Sequence, residues 1–169
     1  MSDETPEYWH LWDDVETSGD LAARLMSPGE IVILIDSGGG ALGTGLSLGE
    51  IIRYRKSPTS CIVTGNCQSS AALVFAACRE RYTMSHSLFL FHPTKLDEQG
   101  TIQDLNNLLP LVKRNDEEFM KRLAKYLGIK VKSVKELHST NDRWLTADRV
   151  IKLGWALPWP PKKTRSTRS

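Results

Sequence analysis

The run Ile31-Val-Ile-Leu-Ile35, followed at once by Asp36-Ser-Gly-Gly-Gly40, constrains this chain more than any other segment. Five consecutive aliphatic residues with no polar alternation suit a strand buried on both faces, and such strands belong mainly to parallel sheets covered by helices. The strand then feeds a glycine-rich turn, where the backbone can present its N–H groups without a side chain in the way. Leu46, Leu48, Ile51, Ile52 and Tyr54 recur with helical spacing, Pro58 breaks the segment, and Cys61-Ile-Val-Thr64 forms a second apolar strand. Parallel neighbours need such a crossover, so the chain reads as an α/β layer fold with a mostly parallel sheet.

The remaining elements follow from the same patterns. After Gly65, the small and apolar residues Ala71 to Ala77 suit a buried helix, and Arg81-Tyr-Thr-Met84 and Ser87-Leu-Phe-Leu-Phe91 read as short strands. From about Thr101 to Tyr126, apolar residues at 105, 108, 109, 112, 119, 123 and 127 mark a long amphipathic helix that Gly128 terminates and Pro110 kinks or divides. A short helix around Val131 to Leu137, the polar stretch Asn141-Asp-Arg-Trp144 and a helix from Thr146 to Leu153 complete the second half. Thr146 is its cap and Gly154 its stop. Residues 1–7 read as a flexible N-terminus, Tyr8 to Trp12 as an edge strand, 8–157 as one domain, and 158–169 as a disordered Pro/Trp and basic tail.

Charge and cysteine content exclude several functional classes. The net charge of +2 arises from 22 basic against 20 acidic residues, and the surplus lies largely in Lys162, Lys163, Arg165 and Arg168, so the folded part carries no nucleic-acid footprint. Cys61, Cys67 and Cys78 form no CxxC pair and are odd in number, which argues against a disulfide framework and against a zinc or other metal site. No cofactor is expected. The acidic N-terminus lacks secretory-signal order, and no apolar run reaches membrane-spanning length, so a cytoplasmic location away from membranes is expected.

A serine hydroxyl is a poor nucleophile at neutral pH and needs a base, a group to orient that base, and donors for the oxyanion. Ser69 lies just after a strand, in Gly65-Asn-Cys-Gln-Ser-Ser-Ala-Ala72, where small residues admit a substrate backbone near a helix N-terminus. His92 closes a strand and precedes Pro93, at the sheet edge where ligands of such sheets bind. Asp142 precedes the last helix, where a carboxylate can hold a histidine tautomer. Taken singly, each residue has a plainer reading: a helix cap, a strand-end histidine, a solvated carboxylate. His10, His86 and His138 are rival bases, Asp97 and Asp148 rival carboxylates, and Cys67 a rival nucleophile with nothing basic beside it in sequence. Gly43-Thr-Gly45 lacks the spacing of a dinucleotide-binding loop.

Taken together, these residues carry a family resemblance that runs from about Ile31 to Leu157. Residues 35–40 resemble the strand ending in an Asn-Ser-Pro-Gly-Gly turn of the Clp-type serine peptidases, in the ClpP/crotonase superfamily. Gly65 to Ala72 resembles the family's Gly-x-Ala-Ala-Ser nucleophile segment, Leu88-Phe-Leu-Phe-His92-Pro its histidine strand, and Asn141-Asp142-Arg-Trp-Leu-Thr-Ala147 its Asp-Arg-Phe-Leu-Ser-Ala segment. The resemblance implies a ClpP/crotonase-like fold built from β-β-α-type units with a long helical handle. It also implies a Ser69-His92-Asp142 triad acting on peptide bonds, with Gly40 and Ser70 as oxyanion donors and Gly39 and Ala41 holding the substrate strand. A homo-oligomer, possibly a ring, acting on a peptide or protein substrate is the expected assembly.

Departures from the family pattern are Asp36 for asparagine, Gly38 for proline, and Cys67-Gln68 for two small residues. The chain starts close to its first core strand, so an axial-loop segment, and with it an ATP-driven unfoldase as partner, is not expected. Two other readings stay open: a crotonase-like acyl-CoA-binding enzyme that uses the turn without a serine nucleophile, and an inactive assembly module that keeps the fold.

Overall fold

The computed structural model describes residues 6–15, 19–95, 99–138 and 141–161. The elements run β1 (Glu7–Asp14), α1 (Gly19–Leu25), β2 (Ile31–Gly39), α2 (Leu42–Tyr54), β3 (Thr59–Gln68), α3 (Ala71–Ala77), β4 (Glu80–Thr83), β5 (Leu88–Phe91), α4 (Ile102–Leu127), α5 (Val131–Leu137), β6 (Arg143–Thr146), α6 (Ala147–Lys152) and β7 (Leu157–Pro158). Strands β1-β2-β3-β4-β7 lie side by side and pair in parallel, while β5 pairs with the far half of β3 and carries β6 antiparallel on its outer edge. The fold is therefore the expected α/β type with a mostly parallel sheet.

The core follows from the aliphatic runs. Ile31, Ile33 and Ile35 of β2 and Cys61 and Val63 of β3 are buried, and every residue of α3 is buried against the sheet. Helix α4 docks on α3 only through its C-terminal half, where Phe119, Met120, Leu123, Ala124 and Tyr126 are buried. Its N-terminal half leaves Ile102, Leu109 and Leu111 exposed. The helix continues for 26 residues through Pro110, where a kink or junction was expected. Thr101 and Asp104 form a reciprocal capping box at its start, and Gly128 ends it with φ 69°.

Three features were not read from the sequence. Helix α1 carried no assignment. Strand β6 covers Arg143–Thr146, where a polar connection was expected; it exists because β5 offers it an edge, with Leu88 opposite Thr146 and Phe91 opposite Arg143. The segment from Pro158, expected to be irregular, begins with a short strand: Pro158 pairs with Thr83, and Trp159 donates its N–H to the Thr83 carbonyl at 2.9 Å.

The feature that builds the site is an irregularity in β3. Residues 60–63 pair with β4, whereas residues 66–68 pair with β5. Between them the register with β2 slips: Ile35 faces Val63, but Ser37 faces Cys67. The extra residues bend β3 as a bulge does. Asp36 closes this bend, since its Oδ1 accepts the Asn66 N–H at 2.7 Å and the Asn66 side-chain amide at 3.2 Å. Thr64 adds a hydroxyl bond to the Ile35 carbonyl at 3.2 Å, and Ser87 one to the Val63 carbonyl at 2.9 Å.

Candidate active site

The strand leaving this bend ends in a sharp elbow. Gln68 is the last residue of β3, Ser69 has φ 50°, and Ser70 is already helical at φ −63°, ψ −24°, with α3 starting at Ala71. Ser69 is the only non-glycine with a positive φ among the described residues. Such a conformation costs about 1–3 kcal/mol and persists only where the surroundings impose it. Here they do: the Ser69 N–H donates to the Leu90 carbonyl at 2.9 Å, and the Ser69 carbonyl accepts the Ala72 N–H at 3.0 Å. A serine on a strained strand-to-helix turn presents its hydroxyl at the sheet edge, the geometry of a nucleophile elbow.

The glycine turn packs directly on this elbow. Gly39 has φ 104°, and a Cβ there would lie 2.7 Å from the Ser69 Cβ and 2.8 Å from the Gln68 carbonyl. The buried Ser37 hydroxyl accepts the Gly39 N–H at 3.1 Å and closes the turn locally. Ser70 does not cap its helix with its side chain; its hydroxyl donates to the Gly40 carbonyl at 3.2 Å and ties the turn to the start of α3. Gly45 is filled by Ser70, whose Cβ would lie 2.8 Å from a Cβ placed there. That glycine serves helix packing, a role the sequence reading missed.

Strand register brings the other two candidates to the same edge. Ser69 extends β3 by one residue, His92 extends β5 by one, and β3 and β5 run parallel. In the antiparallel β5–β6 pair Phe91 faces Arg143, so the next step places His92 opposite Asp142. The hydrogen bonds of a triad are nevertheless not made. The His92 Nδ1 lies 2.7 Å from the Pro93 carbonyl, and the exposed Asp142 carboxylate has Lys95 as its ion-pair partner at 3.7 Å. Because a carbonyl only accepts, the ring donates from Nδ1, and in the neutral ring that leaves Nε2 as the acceptor a general base requires.

The rivals lie elsewhere or are occupied. The His86 ring meets the Thr64 carbonyl at 2.9 Å, His10 packs edge-on against Trp12, and His138 donates Nε2–H to Asp116 at 2.7 Å. Asp148 sits in the first turn of α6, and Asp97 lies outside the described residues. Cys67 is wholly buried, and burial followed by the neighbouring Cys78 pushes its thiol far above the ordinary range, which removes it as a nucleophile. No group of three or more His, Cys, Asp or Glu side chains among the described residues is arranged to hold a metal ion, and no helix among them is long and apolar enough to cross a membrane.

A strained serine elbow under a glycine turn, with a histidine at the end of the adjoining strand, forms the candidate site on a mostly parallel α/β fold. The family model for Clp protease matches residues 21–156, and the chain belongs to that family. Among curated proteins it is similar to the ATP-dependent Clp protease proteolytic subunit 2 of Thermobifida fusca (strain YX), 23% identical over 128 residues that span 75% of this chain and 63% of that protein. Among solved structures it resembles a mutant of ClpP1 from Listeria monocytogenes, with a TM-score of 0.77, 17% identity and 90% of each chain covered. At that identity the structural match speaks for the fold.

Proposed function

We propose that this chain is a serine peptidase that cleaves peptide bonds through an acyl-enzyme, with Ser69 as nucleophile, His92 as general base and Asp142 as the carboxylate that orients and stabilises the imidazolium. The observation that carries this reading is the φ of 50° at Ser69, held by Leu90 on one side and Gly39 on the other. Nothing in the packing of a purely structural strand-to-helix turn needs a serine in that conformation.

In the proposed reaction, His92 Nε2 takes the Ser69 proton as Oγ attacks the carbonyl, and the N–H groups of Gly40 and Ser70 hold the oxyanion. Gly39 and Ala41 line the strand on which the substrate backbone lies. The imidazolium then protonates the leaving amine, and a water deprotonated by His92 releases the acyl group. Turning Nδ1–H from the Pro93 carbonyl to Asp142, and Asp142 away from Lys95, completes the triad. Assembly is the event that would drive this turn, because β6 and the exposed N-terminal half of α4 present apolar side chains suited to contacts between copies in a homo-oligomeric ring. A cytoplasmic location fits three unpaired, buried cysteines.

The unformed triad hydrogen bonds favour one second reading, a family member that assembles without cleaving. Turnover of fluorogenic peptides and of casein by the assembled protein tests the choice. The peptidase reading predicts cleavage that falls on the order of 10⁶-fold in Ser69→Ala. No cleavage by an intact oligomer at any pH between 6 and 9 supports the assembly reading.

A further inference from the structure

Helix α4 reaches the candidate base through a network that the proposed mechanism does not use. Asp116, in the middle of α4, accepts two hydrogen bonds on one carboxylate oxygen: from the Thr94 hydroxyl at 2.5 Å and from His138 Nε2 at 2.7 Å. His138 ends α5, is nearly buried, and stacks on Phe119 of α4 with ring centroids 5.1 Å apart. Its Nδ1 is buried with no hydrogen-bond partner, as expected of a neutral ring whose single proton sits on Nε2 and points at Asp116. The ring is therefore fixed by stacking on one side and by the carboxylate on the other.

What Asp116 holds is the chain just beyond His92. Thr94 follows Pro93, and the Pro93 carbonyl belongs to the rigid peptide plane that joins those two residues. That carbonyl is the acceptor of the His92 Nδ1–H at 2.7 Å. The proline ring fixes φ at residue 93, so anchoring the Thr94 side chain leaves the carbonyl little freedom to turn. The contacts form a line from Asp116 to Thr94, to the Pro93 carbonyl, to the imidazole. His138 meanwhile anchors, to the same carboxylate, the chain that leads four residues later to Asp142.

We propose that Asp116, braced by His138, is a positioning residue for His92 in its resting arrangement, acting through Thr94 and the Pro93 carbonyl to hold the imidazole as the Nδ1–H tautomer, whose N–H turns to Asp142 when the triad completes. The proposal rests on the peptidase reading for its kinetic consequence, though its structural content does not. It makes the handle helix a direct support of the base, so a shift of α4 reaches His92 through hydrogen bonds at one carboxylate.

Thr94→Val removes the hydroxyl donor at nearly constant volume, and Thr94→Ser restores it. In the parent protein, ¹⁵N NMR of the histidine rings is expected to show His92 as the Nδ1–H tautomer. Thr94→Val and Asp116→Ala are expected to convert it to a mixture, while Thr94→Ser returns the parental signal. In peptide turnover the same two variants free the Nδ1–H to turn to Asp142 and so raise kcat a few-fold with KM nearly unchanged, and Thr94→Ser returns it to within about twofold of the parent. A parental His92 spectrum in Thr94→Val, with the fold shown intact by melting, overturns the proposal whatever the activity. A changed His92 spectrum in a protein that never turns over peptides or takes a fluorophosphonate keeps the positioning claim and overturns the peptidase reading instead.

Discussion

Replacing Gly39 by alanine tests how tightly the glycine turn and the serine elbow are locked together. The added Cβ would sit 2.7 Å from the Ser69 Cβ and 2.8 Å from the Gln68 carbonyl, with the Ser70 N–H at 3.3 Å. Carbon atoms rest about 3.5–4.0 Å apart, so the elbow or the turn must yield by roughly 0.8 Å or more. Neither has slack, because Ser69 is pinned to Leu90 and Gly39 to Ser37. The φ of 104° adds strain of its own for any side chain. Overpacking and backbone strain, at about 1–3 kcal/mol each, give an expected loss of about 2–6 kcal/mol in urea unfolding. Reaction of Ser69 with a fluorophosphonate should slow on the order of 100-fold, since a shift near 1 Å at a reacting group has that effect. Gly43→Ala is the control: a Cβ there meets nothing within 4 Å, and the residue lies in α2, so this variant should gain about 0.5–1 kcal/mol. Parental stability together with parental labelling in Gly39→Ala would refute the argument that the turn and the elbow share one packed contact.

Three further outcomes are expected. Ser69→Gly abolishes labelling yet raises unfolding stability by about 1 kcal/mol, because glycine adopts φ 50° without strain; chemical denaturation beside intact-mass labelling reads both. Arg55→Met destabilises by about 2 kcal/mol in the same assay, since the guanidinium bonds the carbonyls of Leu25, Ser27 and Gly29 and fastens the turn after α1 to the end of α2. Tyr126 is pushed up to about 12 by burial and by its hydrogen bond to Glu50. A raised folded pKa contributes stability that is whole below the unfolded value near 10 and is lost as pH rises toward 12. Melting temperature should therefore fall more steeply across that window in the parent than in Tyr126→Phe.

Much of the fold was legible because it rests on local chemistry. The unbroken aliphatic run of β2 marked a strand, although its burial alternates, with Ile31, Ile33 and Ile35 buried and Val32 and Leu34 half-buried, and Gly128 and Thr146 end and begin helices for reasons confined to their own turns. What escaped depends on partners distant in sequence. Strand β6 has no pattern of its own beyond Trp144-Leu-Thr146 and forms because β5 presents an edge to it. Pro110 cannot donate its missing bond, yet helix α4 continues because it is anchored on both sides, by the capping box at Thr101 and by the buried Phe119 and Leu123. In the site, Ser69 and the glycine turn were legible as motifs, whereas the φ that singles out Ser69 is imposed by Leu90 and Gly39, 21 and 30 residues away. Asp36 looked like a departure from the family's asparagine; its carboxylate accepts two bonds from Asn66 across the bend in β3, a contact no spacing rule discloses. The sheet edge was expected for His92 alone; the place of Asp142 opposite it, next to β6, was not, nor were the competing Pro93 carbonyl and Lys95.

The most direct test of the central claim, an activated Ser69, is intact-mass labelling of the assembled protein with a fluorophosphonate across pH 6–9, beside Ser69→Ala and His92→Ala proteins shown to be folded. The account predicts a single adduct on the parent, mapped to Ser69 and absent from both variants. No adduct on the parent at any pH, or an adduct that persists in Ser69→Ala, would contradict it.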